Sequence, residues 1–212
     1  MGKKGLFITI EGTEGSGKST LINGLALALG GRGVQVLRTR EPGGHPLAER
    51  IRELILNEEM EPWTEVFLYE ASRAEHVSQV IRKAVDKNMI VLCDRFTAST
   101  LAYQSVARGL PWKVIETLNT LAIQGMKPDF NIFLDLDPKL GLSRANDPNR
   151  FEKESLGFHQ KVRSGFLKIV KKNKKEWIHI KVDKKGPQEV LREVLIQMKK
   201  KLPKQLKGIT NV

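Results

Sequence analysis

Residues 11–20 read EGTEGSGKST, between the apolar run LFITI and the segment LINGLALALG. Gly12, Gly17, Lys18 and Ser19 fit G-x-x-x-x-G-K-[ST] without a mismatch, in the strand-before, helix-after setting that the pattern requires. No other stretch restricts the fold as tightly. Glycines let successive backbone N–H groups face a phosphate at a helix N-terminus, where orphan donors and the helix dipole favour an anion. Thr13, Glu14, Gly15, Ser16 and Thr20 complete the expected triphosphate-binding loop. Lys18 adds a point charge near the β and γ oxygens, and the Ser19 hydroxyl is placed for Mg²⁺. An ATP-like donor is thereby indicated, but the acceptor is not.

The rest of the chain repeats the same alternation. Apolar, β-branched runs at 6–10, 34–39, 89–93, 131–136 and 177–182 read as strands. Helix-period segments fall at 18–29, 47–56, 64–85, 112–124, 151–171 and 187–201, with Gly30, Gly31 and Gly33 punctuating the first. Strands alternating with helices predict an α/β fold, a five-stranded parallel sheet with helices on both faces, and ligands at the carboxyl ends of the strands. One domain over 1–212 is expected, since no repeat or low-complexity linker interrupts the chain. No apolar run approaches membrane-spanning length, and MGKK leads straight into the first strand, leaving no room for a signal peptide. Cys93, the sole cysteine, reads as a buried strand residue in a reducing cytoplasm.

A net charge of +12 raises the question of nucleic acid. The excess is local: 16 of the 36 Lys and Arg, but 4 of the 24 Asp and Glu, lie in residues 161–212. Strings such as KKNKK there lack the interleaved aromatics that stack bases. A solvated helix face is the expectation, with no nucleic-acid partner.

The acceptor is sought among arginines at strand ends. Arg40 follows VQVLRT, Arg73 lies in YEASRAEH, and Arg95 follows CD. Three guanidiniums near one sheet edge predict a second anionic substrate held by bidentate forks. A guanine-reading N-K-x-D, which a signalling GTPase would need, is not in the sequence.

Taken together, IEGTEGSGKST, TREPGG, YEASRAEHV, CDRFTASTLAYQ with ARGL after it, KPDFNIFLDLDP with GLSR, and NRFEKESLGFHQKVRSGFL occur in an order that resembles the bacterial thymidylate kinases over nearly the whole chain. The resemblance implies a P-loop kinase fold of three layers and transfer of a phosphoryl group from ATP to dTMP with Mg²⁺. It implies metal roles for Ser19 and Asp94, and a place for Glu14 near the deoxyribose 3′-hydroxyl. Arg40, Glu41, Arg52 and Arg95 would surround the acceptor phosphate. Tyr69 would stack on thymine where relatives usually carry Phe, and Arg73 would donate to a thymine carbonyl. Ser99, Thr100 and Gln104 would contact the base, with Tyr103 under the sugar. A homodimer is implied as well. A different nucleoside monophosphate as acceptor, or an ATPase switch, is the alternative reading.

The lid expected around 144–151 is shortened to ANDP between GLSR and NRFEKES. It offers Arg144 and Arg150 as the arginines to neutralise the transferring phosphoryl. Arg150 is preferred, because Arg144 can equally cap the preceding helix.

Overall fold

The computed structural model describes residues 5–30, 34–144 and 150–202. Gly31, Gly33, the lid residues 145–149 and the basic tail from 203 onward lie outside the described residues. Five parallel strands form one sheet: β1 (Leu6–Gly12), β2 (Val36–Arg40), β3 (Ile90–Asp94), β4 (Phe130–Asp135) and β5 (Trp177–Lys181), in the order β2-β3-β1-β4-β5. Central β1 is buried along its whole length, as its mostly apolar sequence LFITIEG favours. Edge strand β2 carries Arg38 and Arg40 to the surface instead.

Alternate residues of β1 supply the two cores. Leu6, Ile8 and Ile10 pack with Leu21, Leu25 and Leu29 of α1 (Lys18–Gly30) and with Val194 and Met198 of α9 (Pro187–Lys201). Phe7 points the other way, to Val77, Ile81 and Phe96. A third cluster joins Phe133 to Phe158, Val162 and Phe166 of α8 (Leu156–Lys172). The expected three-layer α/β fold is what forms.

Three helical expectations are corrected. The segment 64–85 is α3 (Pro62–His76), a π-helical turn at Val77–Ile81, and α4 (Arg82–Asp86). Such a turn adds a residue without breaking the helix, so the apolar period hides it. Residues 97–107 fall outside the expected helices, yet form α5 (Thr97–Thr100) and a second π-helical stretch at Leu101–Ala107. Its inward face is polar, with Ser99, Thr100, Gln104 and Ser105 buried, which removes the hydrophobic signal that marks a helix. The helix expected from Phe151 begins at Leu156, where the Ser155 side chain accepts from the Phe158 N–H. Between these lie α2 (Pro46–Asn57), α6 (Trp112–Ile123) and the short α7 (Pro138–Leu142).

Candidate active site

The loop between β1 and α1 closes over the carboxyl edge of the sheet. Gly15 and Gly17 have φ of +66° and +88°, conformations that cost other residues strain. A Cβ on Gly15 would sit 2.3 Å from the Gly141 carbonyl oxygen, so α7 and the loop are locked together. Lys18 is buried, its Nζ donating to the Thr13 and Gly12 carbonyls at 3.1 and 3.4 Å. Burial, then the nearby Arg95, pulls its pKa down. Thr13 Oγ1 and Ser16 Oγ are buried without a partner, orphaned donors that suit a cradle for an anion.

Ser19 Oγ donates to Asp94 Oδ2 at 3.3 Å. A hydroxyl and a carboxylate side by side are hard oxygen donors suited to Mg²⁺. Among the described residues no group of three or more His, Cys, Asp or Glu could hold a metal. An ion here would draw most of its oxygens from phosphate and water.

Beside the loop, a pocket is lined by Glu14, Glu41, Arg52, Tyr69, Arg73, Arg95, Ser99, Thr100, Tyr103 and Gln104. Ten of the eleven residues expected to bind the acceptor therefore meet in one place. Arg40 is the exception. It lies more than half exposed on Glu49 at 2.8 Å and lines the adjoining cleft over the phosphate loop. Glu14, Glu41, Arg52 and Arg95 line both spaces. They mark the junction where an acceptor phosphate would face the γ-phosphate.

Arg95 is the most constrained of these. It has φ +69°, a strained value for a residue with a Cβ. Its guanidinium donates to Glu14 Oε2 at 2.7 Å and to the Gly12 carbonyl at 3.0 Å. The Tyr103 hydroxyl donates to the other Glu14 oxygen at 2.6 Å. Burial opposes the Glu14 charge, but Arg95 and then Lys18 outweigh it and hold its pKa at about 2. At neutral pH Glu14 is thus purely an acceptor, as contact with a sugar hydroxyl needs.

At the far end, Arg73 is 1% exposed. Its Nε donates to Glu41 at 2.7 Å, and its Nη1 to Glu70 at 2.9 Å and Asn119 at 2.7 Å. These contacts spend three of its five N–H groups and leave those of Nη2. Thr100 Oγ1 is buried and unpartnered in the cavity wall. Tyr69 meets Phe151 edge-on at 6.3 Å, so the turn before α8 adds a further ring to the cavity.

The two lid arginines part company. Arg144 Nη1 donates to the Gly15 carbonyl at 2.8 Å, on the phosphate loop. Arg150 is turned away. It donates to the Ile55 carbonyl at 2.9 and 3.1 Å, pairs with Glu65 at 2.8 Å, and lies over the Phe151 ring.

The family model described as Thymidylate kinase matches residues 10–194. The chain belongs to the thymidylate kinase family. Relatives named thymidylate kinase include one from Trichlorobacter lovleyi, 48% identical over 176 residues covering 77% of this chain and 83% of that one. One from Bacillus cytotoxicus is 42% identical over 203 residues, covering 92% and 97%. The crystal structure of the thymidylate kinase from Ehrlichia chaffeensis superposes with a TM-score of 0.79 at 32% identity, over 92% of this chain and 99% of that one. Members of this family are phosphotransferases.

Sequence reasoning missed Glu11. It is fully buried on β1, accepting from the Phe96 N–H at 2.9 Å and from Ser99 Oγ at 2.6 Å. Ser99 in turn accepts from Arg95 at 3.3 Å, so Glu11 braces the strained residue from behind. A carboxylate inside an otherwise apolar strand was the available signal. Burial raises its pKa from 4.5 to about 7. The folded protein therefore holds a proton between those values that the unfolded chain releases. The contribution of Glu11 to stability should be complete below pH 4.5 and be lost as pH rises towards 7, by roughly 3 kcal/mol. Glu11→Gln should flatten that slope in urea unfolding between pH 5 and 8. An unchanged slope would locate the titration elsewhere.

Proposed function

We propose that this member of the thymidylate kinase family moves the γ-phosphoryl group of ATP to dTMP, giving dTDP and ADP. The observation that carries this is the wall shared by the two cavities, where Glu14, Glu41, Arg52 and Arg95 stand between the phosphate loop and a base-sized pocket. An oxygen of the acceptor phosphate forms the new bond to γ-phosphorus while the β–γ bridging bond breaks and leaves with ADP. That oxygen is already deprotonated, so no general base is needed, and catalysis is positioning plus charge. Lys18 and the loop amides hold the donor. Arg52 and Arg95 hold the acceptor phosphate, and Glu14 and Tyr103 hold the sugar. Tyr69, Arg73, Ser99, Thr100 and Gln104 hold the base. Mg²⁺ at Ser19 and Asp94 would neutralise charge on the donor phosphates.

Arg144 lies on the loop and is the arginine we assign to the transferring phosphoryl, within a lid at 144–151 of a one-domain chain. For the adenine, a cleft lined by Thr20, Leu21, Arg144, Val182, Lys185 and Pro187 opens beside the loop. The reading extends to a homodimer. Leu47, Leu54, Trp63, Phe67, Val114 and Leu121 are exposed apolar residues on three adjacent helices, α2, α3 and α6, more than isolated surface residues would account for. The cytoplasm is the compartment implied. Among the described residues no helix is long and apolar enough to cross a membrane.

A coupled ADP-release assay over dTMP, dUMP, dCMP and dGMP tests the assignment. The highest kcat/KM is expected with dTMP. Equal rates across the panel, or turnover without any monophosphate, would overturn it.

A further inference from the structure

We propose that Glu65 is a positioning residue that fixes the orientation of the Gln104 amide, and that this orientation makes the pocket select a base donating a hydrogen bond from N3. The inference rests on the reading that Gln104 and Arg73 meet the base edge.

A glutamine amide can present either end to a ligand, and by itself specifies nothing. Its neighbour decides. Glu65, in the first turn of α3, is 1% exposed, and its Oε1 accepts from Gln104 Nε2 at 2.8 Å. Its Oε2 pairs with Arg150 at 2.8 Å and Arg108 at 3.2 Å. A carboxylate bound by two guanidiniums can only accept, so Gln104 must turn its NH₂ towards it. The carbonyl Oε1 is left as the end that serves the cavity.

Arg73 completes the pattern. With Nε and Nη1 committed to Glu41, Glu70 and Asn119, Nη2 is the end left for the cavity that Arg73 lines. The pocket therefore offers a donor and an acceptor. Thymine presents the complement, a carbonyl at position 4 and an N–H at position 3. Cytosine presents the reverse at both atoms, and each mismatch leaves a buried polar group unpaired. The Glu65 carboxylate touches neither base nor phosphate in this scheme, and acts only through Gln104.

The test compares kcat/KM for dTMP with that for 5-methyl-dCMP, which differs from it only in the pairing pattern of the base edge. Glu65→Gln frees the amide to flip, and should lower this ratio by about tenfold or more, chiefly through a higher KM for dTMP. Glu65→Asp keeps the charge for both arginines but draws the oxygen back from Gln104. Measured in parallel, it should lower the ratio in the same sense and carries the test if Glu65→Gln does not fold. Gln104→Met should lower the ratio too, and adding Glu65→Gln to it should lower it no further. Equal loss with both substrates would make Glu65 merely structural and overturn the proposal. A ratio that falls in Gln104→Met but not in the Glu65 variants overturns it while leaving the base contact standing. If the ratio is unchanged in all of them, the base-contact reading itself fails.

Discussion

Lys18→Ala should lower kcat by about 10²- to 10³-fold while leaving dTMP affinity within a few-fold. The ammonium is held by the Thr13 and Gly12 carbonyls, and in the proposed reaction it would meet developing charge on the transferred phosphoryl. Its loss removes an interaction stronger in the transition state than in the ground state, so kcat rather than KM carries the effect. The acceptor cavity does not include Lys18 among its lining residues, which is why acceptor affinity should persist. Folding should persist as well, because the hydrophobic clusters flanking the sheet do not include it. Isothermal titration with dTMP beside steady-state kinetics separates the two quantities. Near-normal turnover would remove the loop lysine from the mechanism.

How much of this was written in the sequence depends on which physical signal each element leaves. Strands and outer helices bury apolar residues at a fixed period, so β1, α1 and α9 were legible within a few residues. The phosphate loop was legible residue by residue, since its glycines answer to backbone geometry that few other sequences satisfy. The helix starting at Thr97 was not, because it buries Ser99, Thr100 and Gln104 along the pocket wall, and a hydrophobic period cannot report a polar face. Glu11 and Glu65 were invisible for a related reason. Each acts through a partner 85 or more, or 39, residues away in the chain, and only folding brings them together. Arg73 was assigned to the base from resemblance, yet its sequence gave no hint that Glu41, Glu70 and Asn119 would occupy most of its donors. Those contacts give its fork a single free end, and with it a direction.

Arg144→Ala should depress kcat by about 10³-fold with little change in apparent dTMP affinity, and Arg150→Ala should be the milder of the two in turnover. This reverses the ranking that the sequence favours. The shortened lid made Arg150 attractive because Arg144 had an alternative use as a helix cap. The geometry argues otherwise. Arg144 follows α7, whose Gly141 packs against the Glu14 carbonyl of the phosphate loop, and its guanidinium already reaches Gly15 O at 2.8 Å. Exchanging that exposed carbonyl for a phosphoryl oxygen needs only a change in side-chain torsions. Arg150 would first have to break its bonds to the Ile55 carbonyl and its pair with Glu65, 8% exposed as it is, and leave the face of Phe151. Such buried charge-assisted bonds cost about 1–3 kcal/mol each to abandon, a barrier poorly suited to a group that must act at every turnover. Arg150→Ala should therefore appear mainly as lost thermal stability and a loosened Glu65, with a higher KM for dTMP. Steady-state kinetics and thermal unfolding on both variants discriminate the roles. A larger kcat loss in Arg150→Ala than in Arg144→Ala would show that the lid rearranges on binding and hands the phosphoryl to Arg150 after all.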